Sequence, residues 1–235
     1  MIRRFGPALA LLAGLLVIGS LLALGTWQVK RLAWKEALIA QVDTRIHAPP
    51  VAAPETATKD DAYLRVTARG RYLPDATTLT LAATEKGSGY WVLSPLRTDD
   101  GRIILINRGF VPKREKPSVP AGEQSVTGLL RISEPGGGFL RDNDPAADRW
   151  YSRDVAAIAA KRGLRGVAPY FIDAEAEPNS GAGGSDQPIG GLTVISFPNN
   201  HLVYAITWYI LAIMAAAALI FLIRSRRMSQ RGERP

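Results

Sequence analysis

The chain contains no cysteine. Disulfides, thiolate copper centres, iron–sulfur clusters and cysteine-ligated zinc are therefore excluded. Histidine is nearly absent as well, with only His47 and His201 in 235 residues. A serine triad needs a histidine base. Here His47 lies in a Pro/Ala-rich stretch, and His201 stands beside a long apolar run. No Gly-x-Ser-x-Gly elbow and no His-Glu-x-x-His helix is present. The carboxylate pairs Asp60-Asp61 and Asp99-Asp100 fall in linker or turn and read as solvated. Gly136-Gly137-Gly138 lacks the lysine and helix context of a phosphate loop, and Gly181 to Gly184 reads as flexible loop. Together these absences argue against an enzyme.

Formal charge is missing from two long stretches, Phe5 to Val29 and Leu202 to Ile223. A bilayer core takes about 20 apolar residues as helix, so both are long enough to span. Neither shows the polar residues at helical spacing that mark a soluble core helix. The first stretch has a rival reading as a secretory signal, with Arg3-Arg4 ahead of it and Ala23-Leu24-Gly25 as a cleavage site. Its length exceeds the roughly 7–15 apolar residues of a signal core, which favours an uncleaved helix. Gly14, Gly19, Ala23 and Gly25 would let a second helix approach closely.

Basic residues orient the spans. No Lys or Arg occurs between Arg165 and the second run, whereas Arg224, Arg226, Arg227, Arg231 and Arg234 follow it. Positive charge collects on the cytoplasmic side, so the expectation is both termini inside and the middle of the chain outside. The net charge of +8 divides accordingly: the tails hold seven basic residues and one acid, and the middle holds 22 basic and 20 acidic residues. The basic balance is thus a topology signal, suited to anionic lipid headgroups, with no nucleic-acid partner implied.

The expected organisation is a cytoplasmic tail at 1–4, a membrane helix at 5–29, and a helix extension with a Pro/Ala-rich linker at 30–62. An extracytoplasmic β-rich domain follows at 63–201, then a second membrane helix at 202–223 and a basic cytoplasmic tail at 224–235. Tyr63 to Tyr72 alternates apolar and polar residues with the period of a half-buried strand. Further strands are expected at Thr77 to Ala83, Tyr90 to Leu96 (weakened by Pro95), Gln124 to Ile132, Pro169 to Asp173 and Leu192 to Phe197. Arg102 to Val111 holds Ile103-Ile104-Leu105-Ile106, the signature of a buried central strand. One helix, Val155 to Lys161, is capped within Ser152-Arg153-Asp154 and stopped by Gly163. Ala48 to Pro54 reads as an extended linker, and Glu177 to Gly191 as a mobile loop. The fold class expected is an α+β membrane protein, a two-helix transmembrane hairpin carrying a mainly antiparallel β domain with one or two helices.

His201 remains, in Pro198-Asn199-Asn200-His201 at the mouth of the second apolar run. A neutral imidazole is a common metal ligand and the usual axial ligand of haem iron. A site at the membrane edge would hold an apolar macrocycle and leave its anionic propionates near water. Tyr204, Trp208 and Tyr209 follow at roughly helical spacing, and Trp27 and Trp34 flank the corresponding end of the first run. Two readings stand side by side. The aromatics form a wall around a bound group, or they are the anchors that gather at any membrane surface. A lone histidine leaves metal binding and a plain interfacial role both open.

The motifs point to a family. Gly25-Thr26-Trp27-Gln28, with Arg31 and Trp34-Lys35 after it, resembles the end of the first helix in the Surfeit-locus-one family of cytochrome c oxidase assembly factors. Asn107-Arg108-Gly109-Phe110-Val111-Pro112 resembles that family's central block, with Phe110 where the family has Trp. Asn143-Asp144-Pro145 with Trp150-Tyr151 resembles the next block. Pro198-Asn199-Asn200-His201-Leu202, with Tyr204-Ala205, Thr207 and Trp208-Tyr209, is similar to the closing signature.

The resemblance implies that the first helix is kept and that the protein sits in a bacterial plasma membrane or a mitochondrial inner membrane. The lack of an evident transit peptide favours the bacterium. It further implies a non-enzymatic factor that binds haem A transiently and helps deliver it to the oxidase's largest subunit. His201 is then the expected axial ligand, with Trp27, Tyr204 and Trp208 around the haem. Arg108 is expected at a propionate, with a buried salt bridge or turn-stabilising role as the competing reading. The expected partners are the largest oxidase subunit, haem A synthase and membrane lipid. A scaffold that stabilises an oxidase assembly intermediate without binding haem is the alternative function.

Overall fold

In a computed structural model of the chain, residues 6–138, 140–176, 187–193, 195 and 197–232 are described, without the side chains of 6, 7 and 229–232. The expected tail at 1–4, the first residue of the first span and Gly181 to Gly184 lie outside them. The chain forms two units, one drawn from residues 1–41 and 196–235, the other from 42–195.

The first unit is a helix pair. Helix α1 covers Gly6–His47, and helix α3 covers His201–Gly232. Among its less exposed positions, Gly14, Ile18, Leu21, Gly25, Gln28, Leu32 and Lys35 recur along α1 in steps of four and three. His201, Ala205, Trp208, Ala212, Ala215 and Leu219 do the same along α3. That alternation makes a narrow seam of the kind seen between helices packed at a shallow angle. Gly14 meets Leu219 and Gly25 meets Tyr209, so the two helices run antiparallel. A Cβ on Gly25 would lie 2.9 Å from the Tyr209 ring, whose hydroxyl is 3.2 Å from Thr26 Oγ1. Gly19, by contrast, faces open space. Both helices are long and apolar enough to cross a membrane, each with a mean hydropathy of 2.5 in its most apolar stretch. Most of their large apolar side chains are exposed, as lipid-facing residues would be.

The second unit is built on a sheet. Its strands are β1 (Val51–Ala52), β2 (Arg65–Tyr72), β3 (Thr78–Thr84), β4 (Gly87–Thr98), β5 (Ile103–Val111), β6 (Gln124–Ile132) and, after a small hairpin, β9 (Val167–Ala174). The hairpin pairs β7 (Gly137–Gly138) with β8 (Arg141–Asp142). Helix α2, Val155–Lys161, precedes β9. Strand order is β1-β2-β6-β9-β5-β4-β3, and β2 also pairs with β4. That extra pairing closes β2-β6-β9-β5-β4 into a five-stranded ring. All neighbours are antiparallel except β5 with β9 and β1 with β2.

Side chains alternate faces along a strand, so each strand of the ring has an inner and an outer set. Val66, Leu96, Ile104, Ile106, Leu130, Tyr170 and Ile172 form one core cluster. Leu93, Leu105 and Phe171 point the other way and are covered by Trp150, Val155 and Ile158. Strand β5 is thus buried on both faces, which is why its four aliphatic residues run without interruption. Full burial of each such side chain is worth about 1.5–3 kcal/mol. Helix α2 forms where its local signals place it. The Asp154 side chain accepts the Ala157 N–H at 3.1 Å, and Gly163 leaves the helix at φ +63.

The expected class holds, with two long apolar helices and a mainly antiparallel sheet domain between them in the chain. Two local expectations are refined and one is corrected. Pro95 does not weaken β4. The Pro95 carbonyl accepts from Leu73 N at 2.9 Å, and the Leu73 carbonyl accepts from Ala76 N at 3.4 Å in place of the N–H that proline lacks. The stretch from Ala48 to Pro54 is extended, and part of it is a strand of the sheet. Val51 and Ala52 pair with Val66 and Thr67, and Pro54 O accepts from Arg102 at 2.8 Å. Of Leu192 to Phe197, the described residues 192, 193, 195 and 197 are not strand. Ile189 instead bridges to Phe110, with reciprocal backbone bonds of 2.9 Å.

Candidate functional site

His201 opens α3, and the Asn200 carbonyl accepts the helix bond from Tyr204 N at 3.2 Å. The imidazole is half-buried on the seam of the helix pair, with Nδ1 2.7 Å from Gln28 Oε1 on α1. With the Gln28 amide turned so that its oxygen faces the ring, Nδ1 is the donor and carries the proton. Nε2 has no hydrogen-bond partner among the described residues. Trp208 is half-buried two turns along the same face. Trp27 and Tyr204 sit off the seam and are 52% and 55% exposed. Arg31 lies 4.3 Å from the Trp34 ring centroid, and Lys35 Nζ 5.7 Å from that of Phe197. Cations and aromatics interleaved in this way suit a headgroup layer.

Among the described residues no cluster of three or more His, Asp or Glu could hold a bare metal ion. A haem brings four nitrogen ligands of its own and asks the protein for one or two. An imidazole with one nitrogen held and the other unengaged fits that demand.

Arg108 belongs to the β unit. Its guanidinium donates to Ser118 O at 2.9 Å and to Gln187 Oε1 at 3.4 Å, and lies 5.5 Å from the Tyr72 ring centroid. These contacts tie the segment after β5 to its surroundings.

Its neighbours in the motif have a structural role that the motif alone does not reveal. Asn107 lies opposite Asp173 in the β5–β9 register and donates Nδ2–H to Asp173 Oδ1 at 2.7 Å. The Asp173 carboxylate also accepts from Arg131 at 2.8 Å and Arg153 at 3.3 Å. Arg153 forks onto Glu134 through bonds of 2.6 and 3.0 Å. Asn107 Oδ1 accepts from Gly109 N at 3.2 Å, which fixes the turn-out of the chain toward Ile189. The second block is built similarly. Asn143 Oδ1 accepts from Tyr151 N at 2.8 Å and Ser152 N at 3.1 Å. Trp150 Nε1 donates to Asp148, which Arg162 also clasps at 2.6 and 2.9 Å.

Burial alone would raise the Glu134 carboxyl, but the hydrogen bonds and charge of Arg153, with Arg131 nearby, more than offset it and hold the group low. Asp148 is lowered in the same way, burial being outweighed by Arg162, Trp150 and Lys116. A carboxylate lowered in the folded state gives its full stabilisation above its unfolded value and loses it as pH falls through the folded one. The thermal midpoint of the chain in detergent, followed by circular dichroism, is therefore expected to be flat down to about pH 5 and to fall below about pH 4. Glu134→Gln should flatten that fall, and an unchanged slope would remove Glu134 from the acid response.

Two helices long and apolar enough to cross a membrane flank the β domain in the chain, an arrangement consistent with a membrane protein. The model of the SURF1 family matches residues 15–213. The chain is 35% identical over 222 residues to "Surfeit locus protein 1" of Mus musculus, covering 83% of this chain and 69% of that protein. It is 34% identical over 221 residues to "Surfeit locus protein 1" of Homo sapiens, covering 83% and 71%. It is 36% identical over 222 residues to a "SURF1-like protein" of Monosiga brevicollis, covering 86% and 82%. The chain belongs to the SURF1 family, which is involved in cytochrome c oxidase assembly. The resemblance carried by the four motifs is therefore correct.

Proposed function

We propose that this chain binds haem A and aids its delivery to the largest subunit of cytochrome c oxidase, with His201 as axial ligand. The observation that carries the reading is the half-buried imidazole whose Nδ1 is engaged by Gln28, with no partner on Nε2 among the described residues. Trp208, with the more exposed Trp27 and Tyr204, is proposed as the aromatic surroundings of the haem. The haem is cargo. A single protein ligand suits a cargo, because release asks for only one bond to be exchanged, here for a histidine of the client. The reading is non-catalytic: the chain holds and hands over.

The same reading puts the protein in a bacterial plasma membrane with both termini in the cytoplasm and the β unit outside. Support comes from Arg224, Arg226 and Arg227 behind the second span and the lack of basic residues from 166 to 201. The largest oxidase subunit, haem A synthase and lipid are the proposed partners. A second reading, a scaffold without haem, draws on the Asn107–Asp173 network, in which part of the central motif serves the fold.

The two readings part in cells that make haem A but lack this chain, complemented with the native protein or with His201→Ala. Delivery predicts that the oxidase subunit accumulates in both but lacks haem A in the His201→Ala cells. Full haem A loading by His201→Ala, with loss of the subunit itself only when the chain is absent, would favour the scaffold.

A further inference from the structure

We propose that Gln28 is the positioning residue for His201, accepting the Nδ1 proton so that Nε2 is the one nitrogen left to bond a metal. The purpose of this arrangement rests on the haem reading above, but the tautomer measurement that tests it does not. Gln28 and His201 are 173 residues apart in sequence, and their bond of 2.7 Å joins the two helices of one unit. Both lie on the seam, in the rows of less exposed residues along α1 and α3. A histidine without a fixed partner favours the other tautomer, with the proton on Nε2. In that form the nitrogen at the tip of the ring has no lone pair to offer. The carbonyl of Gln28 reverses the preference, as outer hydrogen-bond partners of metal-binding histidines commonly do.

The choice of an amide over a carboxylate has two consequences. A neutral partner adds no further formal charge to the seam where the apolar runs end. It also leaves the imidazole a weaker donor than a carboxylate would, since carboxylate partners raise ligand basicity. A weaker bond to iron suits a ligand that must let go.

The scarcity of histidine makes the test direct. The full chain is labelled with 15N histidine in detergent micelles and kept haem-free at about pH 8, where an ordinary imidazole is neutral. Only two imidazoles contribute, and His47→Gln assigns them. The expected result is an Nδ1-protonated, Nε2-unprotonated pattern for His201, which moves toward the Nε2-protonated pattern in Gln28→Leu and is retained in Gln28→Glu. An Nε2-protonated His201 in the native chain, or no change in Gln28→Leu, overturns the proposal. Loaded with haem A, Gln28→Leu should bind it about 10–100-fold more weakly. Gln28→Glu should retain the haem at a lower iron reduction potential. Unchanged affinity in Gln28→Leu, with the tautomer altered, also overturns the assignment. If the native chain shows the expected tautomer and takes up no haem, the haem reading fails and the positioning of His201 stands.

Discussion

Replacing Asp173 with alanine should destabilise the chain by about 3–5 kcal/mol, the usual cost of removing one partner from a buried ion pair. The Asp173 side chain is 2% exposed and is met by Arg131 and Arg153, themselves 18% and 14% exposed. Without the carboxylate both guanidiniums lose a short contact in a place water barely reaches, and Asn107 loses the acceptor for its amide. Glu134 still binds Arg153, so the loss stops short of stranding that cation entirely. For a unit of this size the change corresponds to a thermal midpoint lower by roughly 10 °C. Asp173→Asn keeps the shape and one acceptor and should lose less. A drop of under about 1 kcal/mol for the alanine variant would mean that the cluster is not structural, since that is the range of an exposed pair.

The second large effect is expected at Gly109. Its φ is +127, a region that side-chain-bearing residues rarely enter, and a Cβ there would sit 2.3 Å from Ile189 O. The neighbouring atoms are backbone, so no side chain can swing aside. Gly109→Ala must either displace the Ile189–Gly190 segment, breaking its two bonds to Phe110, or change its own conformation. Backbone strain of about 1–3 kcal/mol and bonds of about 1 kcal/mol each give a loss on the order of 3 kcal/mol. Chemical denaturation of the full chain in detergent measures it. A near-neutral Gly109→Ala would show that the segment at Ile189 is not held by this contact. Conversely, Arg108→Ala should cost well under this, because the bonds it loses are solvent-accessible.

These two sites explain why the central motif reads more clearly than its purpose. Local signals placed the strands and helix that depend on neighbours in sequence. The four aliphatics of β5 need two buried faces, and Asp154 and Gly163 bracket α2 from within a few residues. Pairing between distant segments left no such trace. Nothing in Val51-Ala52 announces a parallel strand, because the partner that makes it one lies at Val66 and Thr67. Asp173 offered one hint, a lone acid closing a run of buried apolar residues, but its partners stand 20, 42 and 66 residues away. In the helix pair the histidine was visible because histidine is scarce. Gln28 stood inside a recognised motif with no visible role, since its partner lies at the other end of the chain. Phe110 is fully buried and meets Trp91 edge to face at 6.2 Å, a packing role that the motif alone does not announce.

Ligation of haem A by His201 is tested most directly by the visible spectrum of the full chain purified in mild detergent from cells that make haem A, recorded beside that of His201→Ala. The expected result is haem A in the native chain with an imidazole-ligated spectrum, and loss of that haem or a changed iron coordination in the variant. A native chain without haem, or a variant with the same haem content and the same coordination, would contradict it.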